Sequence, residues 1–203
     1  MNSRSKGFSL LELIIVLVIM LIIAGLVLAG ISTHKHAALV AKTKIQFLEY
    51  EAAINAYCRE YGDLPPFFRD EELVSLRDSN NSEMFVKILS GQNVDGKPLS
   101  ANEKKLLNPK GKAFHRFANE EFFMAPDGTR DRKILVDAFN NRNISLIVED
   151  PFDEDTIISK SKFPANIRKY IKGEGVKSAV VIFSESDDGR MIISNSFDNL
   201  GLL

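Results

Sequence analysis

The chain has 203 residues, enough for one globular domain and an appendage. Its 26 basic and 27 acidic side chains leave a formal charge of −1, which argues against a nucleic-acid surface and against an acidic disordered tail. Cys58 is the single cysteine, so an internal disulfide and a cysteine-built zinc site are both excluded.

Arg4 and Lys6 precede residues 13–31, a run of about 19 residues with no charged or polar side chain. As a helix it would be roughly 28 Å long, close to the hydrocarbon thickness of a bilayer. About fourteen of its residues are Leu, Ile or Val, contributing on the order of −4 to −8 kcal/mol toward insertion. The carboxylate of Glu12 would cost about 3 kcal/mol at mid-membrane and less at the edge, so insertion wins. The flanking positive charges place the N-terminus in the cytoplasm and send the rest across. Physics alone leaves two readings open. A plain signal anchor fits the length but gives Glu12 no purpose. A secretory signal peptide has an apolar region of roughly 7–15 residues, shorter than this one, and Leu28-Ala29-Gly30 is only a loose cleavage site.

No proline appears before Pro65, and no glycine between residues 31 and 61, so the apolar run is expected to continue as helix through residues 32–61. Lys42, Gln46, Glu49 and Glu60 form a narrow polar stripe at helical spacing. Ala41, Ile45, Leu48 and Ala52 make one apolar line; Val40, Phe47, Ile54 and Tyr61 make another. An arc that broad serves either the head alone or the head and neighbouring subunits together. Gly62, then Pro65 and Pro66, end the helix. From residue 8 to 61 it would run about 80 Å, too long for a small head to bury alone. Gly25 and Ala29 form a small-xxx-small pair that permits close helix approach in lipid.

Residues 64–203 are expected to form an α+β head, helical or irregular first and antiparallel sheet later. Short helices are expected over 70–77 and 82–89, and Ser100-Ala101-Asn102-Glu103 reads as a capping box opening a third, stopped before Pro109. Residues 133–139 and 144–149 read as strands separated by a turn at 140–143. Pro164 opens a helical turn over 163–171. The clearest hairpin joins 179–185 to 190–194 through Ser186-Asp187-Asp188-Gly189.

Candidates for chemistry are few. Asp150, Asp153, Glu154 and Asp155 cluster, with Asp187, Asp188 and Asp198 later, but their spacing fits no calcium loop and solvated turn carboxylates are the expectation. His34 and His36, two apart on a helix, point in nearly opposite directions. His115 stands alone, and Cys58 reads as a small buried residue. No catalytic motif appears, so no enzyme is expected.

Lys6-Gly7-Phe8-Ser9-Leu10-Leu11-Glu12 resembles the processing signature of type IV pilins and type II secretion pseudopilins. The resemblance implies a leader, residues 1–7, cut by prepilin peptidase between Gly7 and Phe8, N-methylation of Phe8, and Glu12 as the fifth mature residue. It implies that Glu12 of an incoming subunit attracts the Phe8 amine of a subunit already placed; within one chain the two groups sit at i, i+4 and pair weakly. Residues 53–66 are similar to the stretch where major pseudopilins leave their long helix. Residues 136–142 resemble their Asp-Pro-Trp-Gly-Asn-Pro-Tyr segment, with Ala138 for proline and Phe139 for tryptophan. Residues 181–189 resemble their late Ser-x-Gly-x-Asp-Gly strand and turn, although the glycine-rich loop after it is missing. A family calcium near the C-terminus is implied as well.

The implied architecture is pilin-like. It comprises leader 1–7, a membrane and assembly half of the helix at 8–31, an amphipathic half at 32–63, and a periplasmic head at 64–203. A single-pass inner-membrane filament subunit is expected, with prepilin peptidase, pilin-like subunits, membrane lipid and an inner-membrane secretion platform as partners. The expected filament is a type II secretion pseudopilus. A type IV pilus subunit for adhesion, motility or DNA uptake is the alternative, and a membrane-tethered binding domain that never polymerises is another.

Overall fold

A computed structural model describes residues 10–69, 73–153, 155–185 and 191–194; within the first helix the side chains of residues 24 and 26–33 lie outside that description. Helix α1, Leu10–Tyr61, is unbroken over 52 residues, as the absence of internal proline leads one to expect. It ends at Gly62, whose φ of 69° suits the left-handed position after a helix and whose N–H donates to the Cys58 carbonyl at 2.8 Å. The chain divides into two compact units, Met1–Leu39 and Val40–Leu203, with the division inside α1. The described part of the first unit is helix alone.

The second unit is α+β. In chain order after α1 come β1 (Val74–Ser75), α2 (Ser79–Ser90), α3 (Ala101–Leu107), β2 (Phe122–Met124), β3 (Arg130–Leu135) and β4 (Ile144–Val148). Then follow β5 (Ile157–Ser159), α4 (Ala165–Arg168), β6 (Gly175–Lys177), β7 (Val180–Glu185) and β8 (Met191–Ile193). The main sheet has the order β1-β4-β7-β8, antiparallel throughout, and the pairs β2-β3 and β5-β6 form separate ribbons.

Strand side chains alternate faces, so the sheet feeds two cores. Ile144, Leu146, Val180, Ile182 and Ile192 point toward α1 and α2, joining Phe47, Tyr50, Ile54, Phe85 and Leu89. Ile147, Val181, Phe183 and Ile193 point the other way, against Ile158, Phe163, Ile167 and Val176. Central strand β7 is therefore apolar at successive positions. On that second face Gly175 passes so close to β5 that an added Cβ would lie 2.2 Å from the Ile158 carbonyl oxygen, and only glycine fits.

Several expectations change. The described part of 70–77 is not helix: Val74 pairs with Leu146, and both Val74 and Leu76 are buried in the core. Sheet burial outweighs local helix preference there. The helix expected at 82–89 starts earlier, because Asp78 caps it by accepting the Asn80 N–H at 2.7 Å. The capping box forms, with Ser100 and Glu103 bonded reciprocally. The strand expected over 133–139 is β3, ending at Leu135, and it pairs with β2 rather than β4. The turn expected at 140–143 falls over 137–140, closed by the Asn140 N–H on the Asp137 carbonyl. Strands β7 and β8 pair as expected, Glu185 opposite Met191, while the turn residues 186–190 lie outside the described residues.

Candidate functional site

Gly7 and Phe8, the expected cleavage and methylation residues, lie outside the described residues. Glu12 is described, exposed in the first turn of α1. A carboxylate there complements the partial positive charge of a helix N-terminus. Around and after it, every side chain from Leu10 to Ile23 is exposed, and all but Glu12 are apolar. This exposure far exceeds the few hundred Å² of the largest apolar patch on a typical soluble monomer. Among the described residues no helix is long and apolar enough to cross a membrane. The expected span of residues 13–31 continues into 24 and 26–31, whose side chains are outside the description; the described part, through Ile23, measures about 16 Å at 1.5 Å per residue.

Within the head, α1 has two apolar faces with different fates. Thr43, Gln46, Phe47, Tyr50, Ala53, Ile54, Tyr57 and Cys58 are buried at the i, i+3, i+4, i+7 spacing of one helix face. The other line stays uncovered: Ala41 and Ala52 are exposed, Ile45 is 58% and Leu48 49% accessible. The head therefore does not absorb the whole apolar arc.

Polar contacts fix that buried face. Gln46 was expected on the polar stripe with Lys42 and Glu49, but it is buried. Its Nε2 donates to the Tyr50 hydroxyl at 2.9 Å and to the Val136 carbonyl at 2.8 Å. Tyr50 donates in turn to Glu121 Oε2 at 2.6 Å. His115 is not alone, as its ring nitrogen lies 3.1 Å from the same carboxylate. A buried phenol between two such partners, deprived of solvent and facing a carboxylate, is held well above its ordinary pKa and stays neutral. Farther along, Tyr61 donates to Asn108 Oδ1 at 2.6 Å, while Glu60 takes Lys110 and Lys112, each at 2.6 Å. Those two ammonium groups draw the Glu60 carboxyl down to about 2.

The segment 136–142 gathers the head. The buried Asp137 carboxylate accepts the N–H groups of Phe139 and Asn141 and the Ser184 hydroxyl. Ala138 N–H donates to Thr43 Oγ1 on α1, and the Asn140 side chain bonds both backbone groups of Met124. Asn140, at φ 62°, is the one non-glycine residue in left-handed backbone among the described residues. Its sequence signal, an Asn pair after an apolar run, was legible only as a turn.

Two further side chains of α1 are shielded from solvent. Burial, with the Asp63 carboxylate adding to it, pushes the Cys58 thiol up to about 11, so the thiolate is scarce at neutral pH. Burial likewise raises the Glu51 carboxyl, against the favourable Ser178 and Ser194 hydroxyls, and its Oε2 has no hydrogen-bond partner among the described residues.

The described carboxylates of the acidic cluster have partners of their own. Asp150 and Asp153 each accept an N–H of their own loop, from Phe152 and Asp155, and Asp155 pairs with Lys177 at 2.8 Å. Among the described residues no group of three or more His, Cys, Asp or Glu is placed to hold a metal. Glu154, Asp187, Asp188 and Asp198 lie outside them. His34 is exposed and His36 half-buried, both on α1.

Comparison with known proteins supports the N-terminal signature. Residues 2–28 match the prokaryotic N-terminal methylation motif. No curated protein and no solved structure matches the chain. The motif supports a pilin-like protein and implies processing by prepilin peptidase, assembly with pilin-type subunits and attachment to the cell envelope. The matched stretch ends within α1, so it speaks for the N-terminus and not for the head.

Proposed function

We propose that this chain is a structural, non-catalytic subunit of a type II secretion pseudopilus that acts in protein export. The carrying observation is the methylation motif over residues 2–28; within it Gly7, Phe8 and Glu12 stand where the family resemblance puts cleavage, methylation and subunit pairing. Cleavage leaves an α-amine on Phe8, and Glu12 of the next subunit neutralises it at the membrane edge, where an unpaired charge is costly. Residues 13–31 span the inner membrane once before assembly, with the leader cytoplasmic and the head periplasmic. The uncovered line through Ile45 and Leu48 supports a helix that neighbouring subunits complete. A secretion filament is favoured over a type IV pilus because the single cysteine leaves the head without the disulfide usual in pilins.

Mass spectrometry of the mature N-terminus tests the processing, with methylated Phe8 expected. An intact Met1 or a terminus after Gly30 would overturn it. Glu12→Ala is expected to be cleaved normally yet be absent from sheared filaments, and normal incorporation would rule out the charge pairing. Deletion of the gene is expected to block export of secreted proteins while leaving surface pili and motility intact; the reverse result would assign a type IV pilus.

A further inference from the structure

A cleft of about 390 Å³ opens in the head between the end of α2, the loop after it and the β2-β3 ribbon. Its lining is mixed: Ser90, Gln92, Asn93 and His115 supply polar groups, while one apolar patch is made by Val86 and Phe122 of the main core with Val94 and Phe117 packed against them. Two arginines, Arg116 and Arg132, also line it. The Arg132 guanidinium lies 5.5 Å from the Phe122 ring centroid and donates to the Asn119 side-chain carbonyl, a neutral partner, at 2.9 Å. Arg116 is exposed, and neither arginine is paired with a carboxylate among the described residues.

No Asp or Glu lines the cleft. Glu121, the carboxylate beside the lining residue His115, already accepts from the Tyr50 hydroxyl and the Ala118 N–H. The loop's own charges, Asp95 and Lys97, are of opposite sign and stay outside the lining. The loop is also preformed. Asn93 Oδ1 accepts the N–H groups of Asp95 and Lys97, and Gln92 bridges to Pro98. A cleft of this volume has room for an organic ligand beside the arginines. An apolar patch in a cleft that two arginines without carboxylate partners also line matches a ligand with an apolar body and one anionic group, since the guanidinium fork suits carboxylate and phosphate alike.

We propose that the head binds an organic anion in this cleft, its carboxylate or phosphate held by Arg116 and Arg132 and its aromatic or aliphatic body laid against Val94, Phe117 and Phe122. The site is independent of how the N-terminus is processed.

The test uses the full isotope-labelled chain in detergent micelles, titrated with N-acetylphenylalanine, its neutral amide, phenyl phosphate and inorganic phosphate. Saturable NMR shifts at Val94, Arg116, Phe117 and Arg132 are expected with at least one of the two organic anions, and which one responds identifies the anionic group. Arg116→Gln, at an exposed position, is expected to keep the melting temperature and weaken binding about tenfold. Equal shifts with the amide, equal shifts with inorganic phosphate, unchanged affinity in Arg116→Gln, or no shift with either acid at millimolar concentration would each overturn the proposal.

Discussion

Glu51 sits in the head half of α1 with one carboxylate oxygen near Ser178 and the other unpartnered among the described residues. Its folded-state pKa is raised, so the folded chain holds this proton more tightly than the unfolded chain does. Stability is therefore fullest below the unfolded carboxylate range and falls as pH rises toward the folded value. Glu51→Gln keeps the shape and a hydrogen-bonding side chain without the charge. Its melting temperature is expected to match the parent near pH 4 and exceed it at pH 7. Equal melting at both values would show that the carboxylate is solvated. Asn108 is the opposite case. It is fully buried, and its side chain meets the Ile88 and Lys112 carbonyls, the Lys112 N–H and the Tyr61 hydroxyl. Neither role was legible in the sequence, because both depend on partners tens of residues away.

At the scale of the element, α1 was the most legible part of the molecule, since uninterrupted periodicity without proline has few other outcomes. The two apolar lines on its second half were legible as well; which one the head would cover was not. The structure covers Phe47 and Ile54 and leaves Ile45 and Leu48 to solvent. Ile45→Ser with Leu48→Ser is thus expected to leave the melting temperature of detergent-solubilised chain unchanged or slightly raised, while recovery in sheared filaments falls severalfold. A large loss of stability would mean that the head uses this face after all. The β2-β3 ribbon carries a signal that the expectations passed over. Ala125-Pro126-Asp127-Gly128 is a strong turn sequence, and it closes with the Gly128 N–H on the Ala125 carbonyl. Strand β1 had no comparable cue, because two residues are too few for a period and only their pairing with β4 makes them a strand.

The whole second unit rests on packing and hydrogen bonds, with no disulfide available to it. Chelator and reductant are both expected to leave its melting midpoint within about 1 °C, and a larger drop with chelator would reveal a structural cation. An α+β head ending in a hairpin could be read from residues 179–194, whereas the two-sided core could not. Period-2 alternation announces a strand with one wet face, and β7 has none because both faces are covered. The ends of the main sheet carry one more implication. Among the described residues its outer strands, β1 and β8, contribute two and three residues. So short a border offers a stranger only one or two main-chain bonds, too little to template cross-β growth. Where copies are crowded together, those two described borders therefore meet a neighbour chiefly through side chains.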